Sequence, residues 1–127
     1  MLDIKRLLTK LLVRVDVPHQ LNATEVKPSS TGWDWTYKTV PDIADYNMIG
    51  VRFMIKTTAD IPIDQMLIFP RYIGNWAQSI TWHNGSTYVR GRVFVNWSTN
   101  QIGVALINGN VSSAYCSIAQ IYGFARL

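Results

Sequence analysis

Few side chains in this 127-residue chain are of the types that carry out acid–base, nucleophilic or metal chemistry. The sequence has two histidines, one cysteine, seven aspartates and one glutamate. His19 and His83 are far apart, and neither has neighbouring ligands at a spacing known from metal sites. We therefore expect no metal site.

Catalysis by a pair of carboxylates is the remaining enzymatic option, since glycoside hydrolysis needs two of them on either side of the bond. The sequence leaves a pairing of Asp34 with Asp60 or Asp64 open, but nothing local favours it. There is no Gly-x-Ser-x-Gly elbow, phosphate-binding glycine loop or dinucleotide fingerprint. Cys116 lies in an apolar run, which favours a buried small hydrophobe. We expect no catalytic residue and no cofactor.

Aromatic side chains are the one surplus, with five tryptophans and six tyrosines. Exposed Trp and Tyr rings stack on sugars, so carbohydrate binding is one hypothesis. The alternative is that these rings fill a β-sandwich core or a subunit interface, where large aromatics are also common. Trp76, in a loop beside Arg71 and Tyr72, is the best candidate for an exposed site, because loops often carry binding residues.

The basic residues do not form a nucleic-acid surface. The net charge is +4, and four of the twelve Lys and Arg residues fall within the first 16 positions. The closest approach to a cluster is Tyr88, Arg90 and Arg92, which share one face if this segment is a strand. Such a face either binds a ligand or keeps an exposed strand soluble. We expect no nucleic-acid partner.

Strands must position these side chains, because alternation of apolar and polar residues dominates the chain after residue 30. The predicted strands are Gly32–Thr39, Met48–Thr57, Gln65–Phe69, Ser79–Trp82, Thr87–Trp97, Gln101–Ile107 and Tyr115–Phe124. Val40–Asn47 is predicted to be a loop, Asn84-Gly85 a tight turn, and Gly103 a turn or bulge. Seven or eight such strands predict a mainly β fold, an antiparallel β-sandwich or jelly roll. Without crossover helices a parallel sheet is excluded.

A different pattern precedes the strands and predicts a short N-terminal amphipathic helix over residues 1–16. Its apolar residues recur at helical spacing: Ile4, Leu7, Leu8, Leu11, Leu12 and Val15. A helix of this length is marginal in water, so the stripe must be buried. It can pack on its own β-domain, bundle with sister subunits, or lie on an anionic membrane surface.

The predicted helix is followed by a turn-rich connector at 17–30, which suits a linker or an extended edge segment. A β-sandwich head follows at 31–127. No run of 18 apolar residues occurs, so we expect a soluble protein with no transmembrane segment. The N-terminus also lacks the uninterrupted apolar stretch of a secretory signal peptide.

The layout resembles small structural proteins of tailed bacteriophages, in which a leucine-rich helix such as Leu2 to Leu12 precedes one β-sandwich head. The last strand, Ile118 to Phe124, is similar to the Ile-Tyr-Gly ending of phage fibre-like and receptor-binding proteins. The resemblance implies a homotrimer with its helices bundled on the axis, attached to other virion proteins. It also implies synthesis in the host cytoplasm without a signal peptide and a place on the virion. No catalytic residue carries over.

The sequence is consistent with two main function classes and with a third, less favoured one. The first is a non-enzymatic virion structural protein, a trimeric fibre, spike or decoration head used in assembly and host-surface attachment, with a cell-surface glycan as a possible partner. The second is a monomeric carbohydrate-binding β-sandwich module. The third is a small hydrolase, which would need two convergent carboxylates in a cleft.

Overall fold

The computed structural model describes residues 3–5, 18–21, 24–29, 31–57, 63–84, 87–107 and 114–127. In these residues the chain forms eight β-strands and two short 3-10 helices. The strands are β1 (His19–Gln20), β2 (Thr36–Thr39), β3 (Tyr46–Thr57), β4 (Ile63–Pro70), β5 (Trp76–Asn84), β6 (Thr87–Asn96), β7 (Gln101–Ile107) and β8 (Ala114–Arg126). The 3-10 helices are Pro41–Asp45 and Arg71–Ile73.

The strands form two four-stranded antiparallel sheets. Sheet I has the order β1-β8-β3-β4, and sheet II has the order β2-β7-β6-β5. The buried side chains of both sheets belong to one hydrophobic cluster, so the sheets pack face to face. The prediction of a mainly β, antiparallel, two-sheet fold is confirmed.

Alternation within the strands explains why the sheets face each other. In β3 the side chains of Ile49, Val51, Phe53 and Ile55 are fully buried, whereas Arg52 between them is not. Full burial of an Ile, Val or Phe side chain contributes about 1.5–3 kcal/mol. β6 repeats the pattern with three fully buried valines at positions 89, 93 and 95. Each sheet therefore has one core face and one outer face.

Several predicted boundaries are wrong. β4 and β5 are longer than the strands predicted at Gln65–Phe69 and Ser79–Trp82. The loop predicted at Val40–Asn47 contains the 3-10 helix Pro41–Asp45, and β3 already begins at Tyr46. Proline suits the first position of such a helix because its fixed φ is already helical. The strand predicted from Gly32 is regular only from Thr36, since Trp33 has a φ of 73° and interrupts the extended backbone.

Most of the helix predicted at 1–16 lies outside the described residues, including Leu7, Leu8, Leu11, Leu12 and Val15. Ile4 is described, and 62% of it is exposed. Among the residues that the structure describes, no helical segment has the length and hydropathy that a membrane span requires.

The described part of the 17–30 segment lies along sheet I. β1 pairs with β8, and Val26 makes a bridge to Ile118 through two backbone hydrogen bonds. Val26 is also part of the core, with only 5% of it exposed. The extended edge segment, one of the two interpretations of this stretch, describes its geometry better than a linker.

Candidate functional site

The outer face of sheet II carries a continuous group of aromatic and arginine side chains, here called the tryptophan–arginine face. It consists of Trp33, Trp35, Tyr37, Arg90, Arg92 and Phe94, packed over Gly103. Three strands contribute to it: β6 supplies the arginines and Phe94, β2 and the residues just before it supply the other rings, and β7 lies between.

Strand periodicity places the arginines on the outer face. Val89 and Val93 point into the core, so Arg90 and Arg92, at the alternate positions of β6, point away from it. Arg90 is exposed and Arg92 is half-buried. In register, Arg92 pairs with Ala105 of β7, whose methyl group leaves space above the strand.

Gly103 lets the aromatic rings lie directly on the backbone of β7. A Cβ atom at this position would lie 2.9 Å from Cε1 of Tyr37 and 3.1 Å from Cε3 of Trp35. The rings can therefore cross β7, and the Trp35 ring reaches Phe94 on β6 with 5.8 Å between ring centroids. Gly103 is a regular residue of β7, so the predicted turn or bulge is wrong at this position.

Arg92 contacts two tryptophan rings. Its guanidinium carbon is 4.0 Å from the ring centroid of Trp33 and 4.3 Å from that of Trp35, within the range of cation–π contacts. The Trp33 ring also lies 5.5 Å from the guanidinium of Arg90. Trp33 thus contacts both Arg90 and Arg92.

The position of Trp33 depends on an uncommon backbone conformation. Its φ of 73° is in the left-handed region, which bulky residues rarely adopt, and its N–H donates a hydrogen bond of 3.1 Å to the carbonyl of Leu106. Such a conformation costs about 1–3 kcal/mol and persists only where surrounding contacts enforce it. The contacts with Arg90 and Arg92 are part of that enforcement.

The positive charge of this face has no carboxylate counterion among the described residues. Neither Arg90 nor Arg92 forms an ion pair with a carboxylate of the described residues. Nε of Arg92 is buried without a hydrogen-bond partner. Burial, and secondarily the charge of Arg90, lowers the pKa of the Arg92 guanidinium. The face therefore carries two arginines whose charge no carboxylate of the described residues compensates.

Arg52, on the outer face of sheet I, shows the opposite situation. Its Nη2 donates to Oδ2 of Asp64 at 2.6 Å, and its Nε lies 3.1 and 3.0 Å from the two carboxylate oxygens. The hydrogen bond to Arg52 lowers the pKa of the Asp64 carboxyl, and the same bond raises the pKa of Arg52. This arginine is already neutralised within the fold.

The predicted loop site divides into a structural arginine and exposed apolar residues. Arg71 donates hydrogen bonds to the carbonyls of Tyr46, Ile43 and Ala44, so its guanidinium is occupied. Tyr72 is 89% exposed.

Trp76 is the other ring of that predicted site, and its placement in a loop is wrong, because it is the first residue of β5. It is 39% exposed and packs edge-on against the buried Phe69, at 5.9 Å between centroids. The structure does not join either of these rings to Arg71 as one site.

Tyr88 lies on the same strand face as Arg90 but at the end of the hairpin, where its ring pairs with His83 at 5.7 Å. The strand period groups Tyr88 with the two arginines and gives no connection from Trp33 and Trp35 to them. The missing signal was Gly103, since a glycine inside a strand often marks a close approach over its backbone.

The candidate catalytic groups are dispersed. Asp34 precedes β2 in sheet II, Asp64 lies in β4 of sheet I, and Asp60 is outside the described residues. Within the described part of the chain, no group of three His, Cys, Asp or Glu side chains could hold a metal ion. Cys116 is 2% exposed, and burial raises the pKa of its thiol to about 12.

Comparison of the chain with protein-family models, with curated proteins and with solved structures gave no match in any of the three.

Proposed function

We propose that this protein is a non-enzymatic virion structural protein, the head of a homotrimeric fibre, spike or decoration protein that serves in assembly and host-surface attachment. The observation that carries the proposal is an apolar patch on the outer face of sheet I. A sheet face exposed to water normally carries polar residues. A contiguous apolar patch on such a face marks an interaction surface.

That patch, here called the methionine face, is formed by Met48, Met66, Ile68 and Phe124 around Gly50. A Cβ at Gly50 would lie 2.7 Å from Cε2 of Phe124 and 2.9 Å from Sδ of Met66, so these side chains meet over the glycine. Met66 is 44% exposed and Ile68 is 39% exposed. Methionine-rich surfaces adapt well to apolar partners.

The occupant we assign to the methionine face is the N-terminal segment of a second copy. β1 enters sheet I at His19, which pairs with Gly123, next to Phe124. The N-terminal segment is thus joined to sheet I next to the apolar end of this face. A helix over residues 1–16 would be about 24 Å long, whereas four strands span about 14 Å, so one helix suffices to cover the patch.

Ile4 is 62% exposed in the single chain, and in the arrangement we propose it is buried on a neighbouring subunit. Burial of this stripe on a neighbouring head would couple a marginal helix to a β-domain that is already folded. Trimerisation, the N-terminal helix and attachment to other virion proteins belong to this proposal, as do synthesis in the host cytoplasm and a virion location.

A jelly-roll-like winding also belongs to the proposal. The pairings of β1 with β8 and of β2 with β7 support it, since they join the ends of the chain as in a wound-up hairpin. β3 pairs with β4 rather than with β6. The winding we propose is therefore confined to the first two and the last two strands along the chain.

The absolute mass of the full chain, measured by light scattering coupled to size exclusion, tests the proposal. We expect three times the chain mass of 14.4 kDa. Replacing both Leu7 and Leu11 with lysine should give the monomer mass and leave the far-ultraviolet β signal unchanged, because the charges enter the apolar stripe. Thr9→Lys adds a charge outside the stripe and should leave the trimer intact. A monomeric native chain, or a trimer that survives the double substitution, would contradict the proposal.

The second candidate function is a monomeric carbohydrate-binding module. The tryptophan–arginine face favours it, because aromatic rings and arginine side chains lie together on one outer sheet face. A monomer mass together with saccharide binding would select this candidate.

A further inference from the structure

We infer that the tryptophan–arginine face binds an anionic saccharide, a sugar that carries a carboxylate or a sulfate group. This inference rests on the attachment role proposed above and names the chemistry of the receptor. Three properties of the face support it: unpaired positive charge, fixed orientation of the donors, and aromatic surface beside them.

The unpaired charge calls for an anion. Arg90 and Arg92 have no carboxylate partner among the described residues, and Arg90 is exposed while Arg92 is half-buried. A guanidinium binds a carboxylate through two parallel hydrogen bonds, which are shorter and stronger than bonds between neutral groups. A neutral sugar would leave this charge uncompensated.

The donors are held in place before any ligand arrives. Trp33 and Trp35 cover the guanidinium of Arg92 at 4.0 and 4.3 Å, and Trp33 also contacts Arg90. An arginine fixed in this way loses little side-chain entropy when it binds, which favours affinity.

The aromatic surface suits a sugar ring beside the anion. Tyr37 is 47% exposed, and its ring stacks on Trp35 with 6.2 Å between centroids and an interplanar angle of 30°. A pyranose has apolar C–H faces, so a sugar whose acidic group meets Arg92 can place its ring against this pair. An inorganic anion would use the arginines and leave the rings without a function.

A nucleic acid is the competing ligand, since single strands also bind to arginine and stacked aromatic rings. Such binding needs a positively charged track that follows several phosphates. On the outer face of β5, beside the arginines, stand Ser79 and Thr81, which carry no charge. Two adjacent arginines fit one acidic group better than they fit a polyanion.

Binding of the full-length chain to sialyllactose, 3′-sulfolactose and trigalacturonate, with lactose as the neutral control, tests the inference by isothermal titration. We expect at least one of the acidic probes to bind and lactose not to bind. Arg92→Gln and Arg90→Gln should each weaken binding about tenfold or more, and added salt should weaken it further. Arg126→Gln, an exposed arginine at the end of sheet I, should leave the affinity unchanged.

Several outcomes would overturn the inference. They are no binding of any acidic probe, equal binding of lactose, unchanged affinity in both arginine variants, or tighter binding of single-stranded oligothymidine than of any saccharide. Near-ultraviolet circular dichroism checks that Arg92→Gln folds. If it does not, the exposed Arg90 still provides the test.

The result is separable from that of the proposed assembly. A trimer that binds no acidic sugar would reject this inference alone. A monomer that binds one would keep this inference and reject the trimeric head.

Discussion

Arg71 binds three backbone carbonyl oxygens at the start of β3, and this defines its role at the scale of single residues. Its Nε donates to Tyr46 at 2.9 Å, and its Nη2 donates to Ile43 and Ala44 at 2.9 and 3.1 Å. The guanidinium also lies 4.5 Å from the ring centroid of Trp97. These contacts attach the 3-10 helix Pro41–Asp45 to the end of β4.

Arg71→Lys should therefore lower the free energy of unfolding by about 1–3 kcal/mol, because one ammonium group cannot reproduce the fork and leaves carbonyls without donors. Urea unfolding followed by tryptophan fluorescence measures it. The matched control is Arg90→Lys, an exposed arginine with no carbonyl partner in the described part of the chain, for which we expect a change within about 0.5 kcal/mol. Equal stability of the two variants would assign Arg71 no structural role.

How much of the candidate site could be predicted from sequence depends on how far apart in the chain the contacting residues are. Arg90 and Arg92 could be placed on one face because that depends only on the two-residue period of a strand. Their contacts with Trp33 and Trp35 could not be predicted, since β7 lies between the strands involved and is the last of the three along the chain. The role of Arg71 depends likewise on a segment 25 to 28 positions away.

At the scale of elements, Gly91 shows how β6 and β3 fit across the core. A Cβ at Gly91 would lie 2.5 Å from Cζ of Phe53 and 3.2 Å from Cδ1 of Ile55. The Phe53 ring therefore occupies the space that a side chain on β6 would need. The two strands can approach closely because Gly91 has no side chain at the point where the Phe53 ring lies.

Gly91→Ala should lower the free energy of unfolding by about 1–3 kcal/mol through overpacking. Phe53→Leu removes the ring atoms that the new methyl group would meet, so the two substitutions together should cost less than the sum of their separate effects. Urea unfolding of both single variants and the double variant gives the coupling energy, expected at about 0.5–3 kcal/mol. Strict additivity would show that the contact does not limit the packing of this core.

Elements were predictable where a single period extends over many residues. β3 alternates without interruption and β7 is an apolar run. Their predicted bounds differ from the observed ones by two residues at most. Boundaries failed where tertiary contacts override the pattern, as at Trp33, whose left-handed backbone ends an otherwise alternating segment. The pairing of β1 with β8 joins distant parts of the chain, which local periodicity does not encode.

At the scale of the whole molecule, the two outer faces differ in chemistry. The methionine face of sheet I is apolar at the end where β1 enters, and the tryptophan–arginine face of sheet II is cationic and aromatic. Because the sheets pack against each other through their core faces, their two outer faces point in opposite directions. A head that uses sheet I for assembly would leave sheet II free for a ligand, so the two proposals are compatible.

Ile68→Glu tests this division of roles. Ile68 is 39% exposed on the methionine face, so a glutamate there costs the isolated head little. In an assembly that buries this face the carboxylate would lose its water without gaining a partner, which is strongly unfavourable. We therefore expect the trimer to dissociate to monomers at concentrations where the native chain stays trimeric, as measured by light scattering over a dilution series.

Thr81→Glu is the matched control, because it places the same charge at an exposed strand position on the outer face of sheet II. It should leave the mass unchanged and, by setting a carboxylate opposite Arg90 in register, should weaken binding of the acidic saccharides. The opposite pattern, with dissociation by Thr81→Glu and none by Ile68→Glu, would exchange the roles of the two sheets. The aromatic rings beside Arg92 would then be interface contacts between subunits, and the methionine face would be the surface left for an external partner.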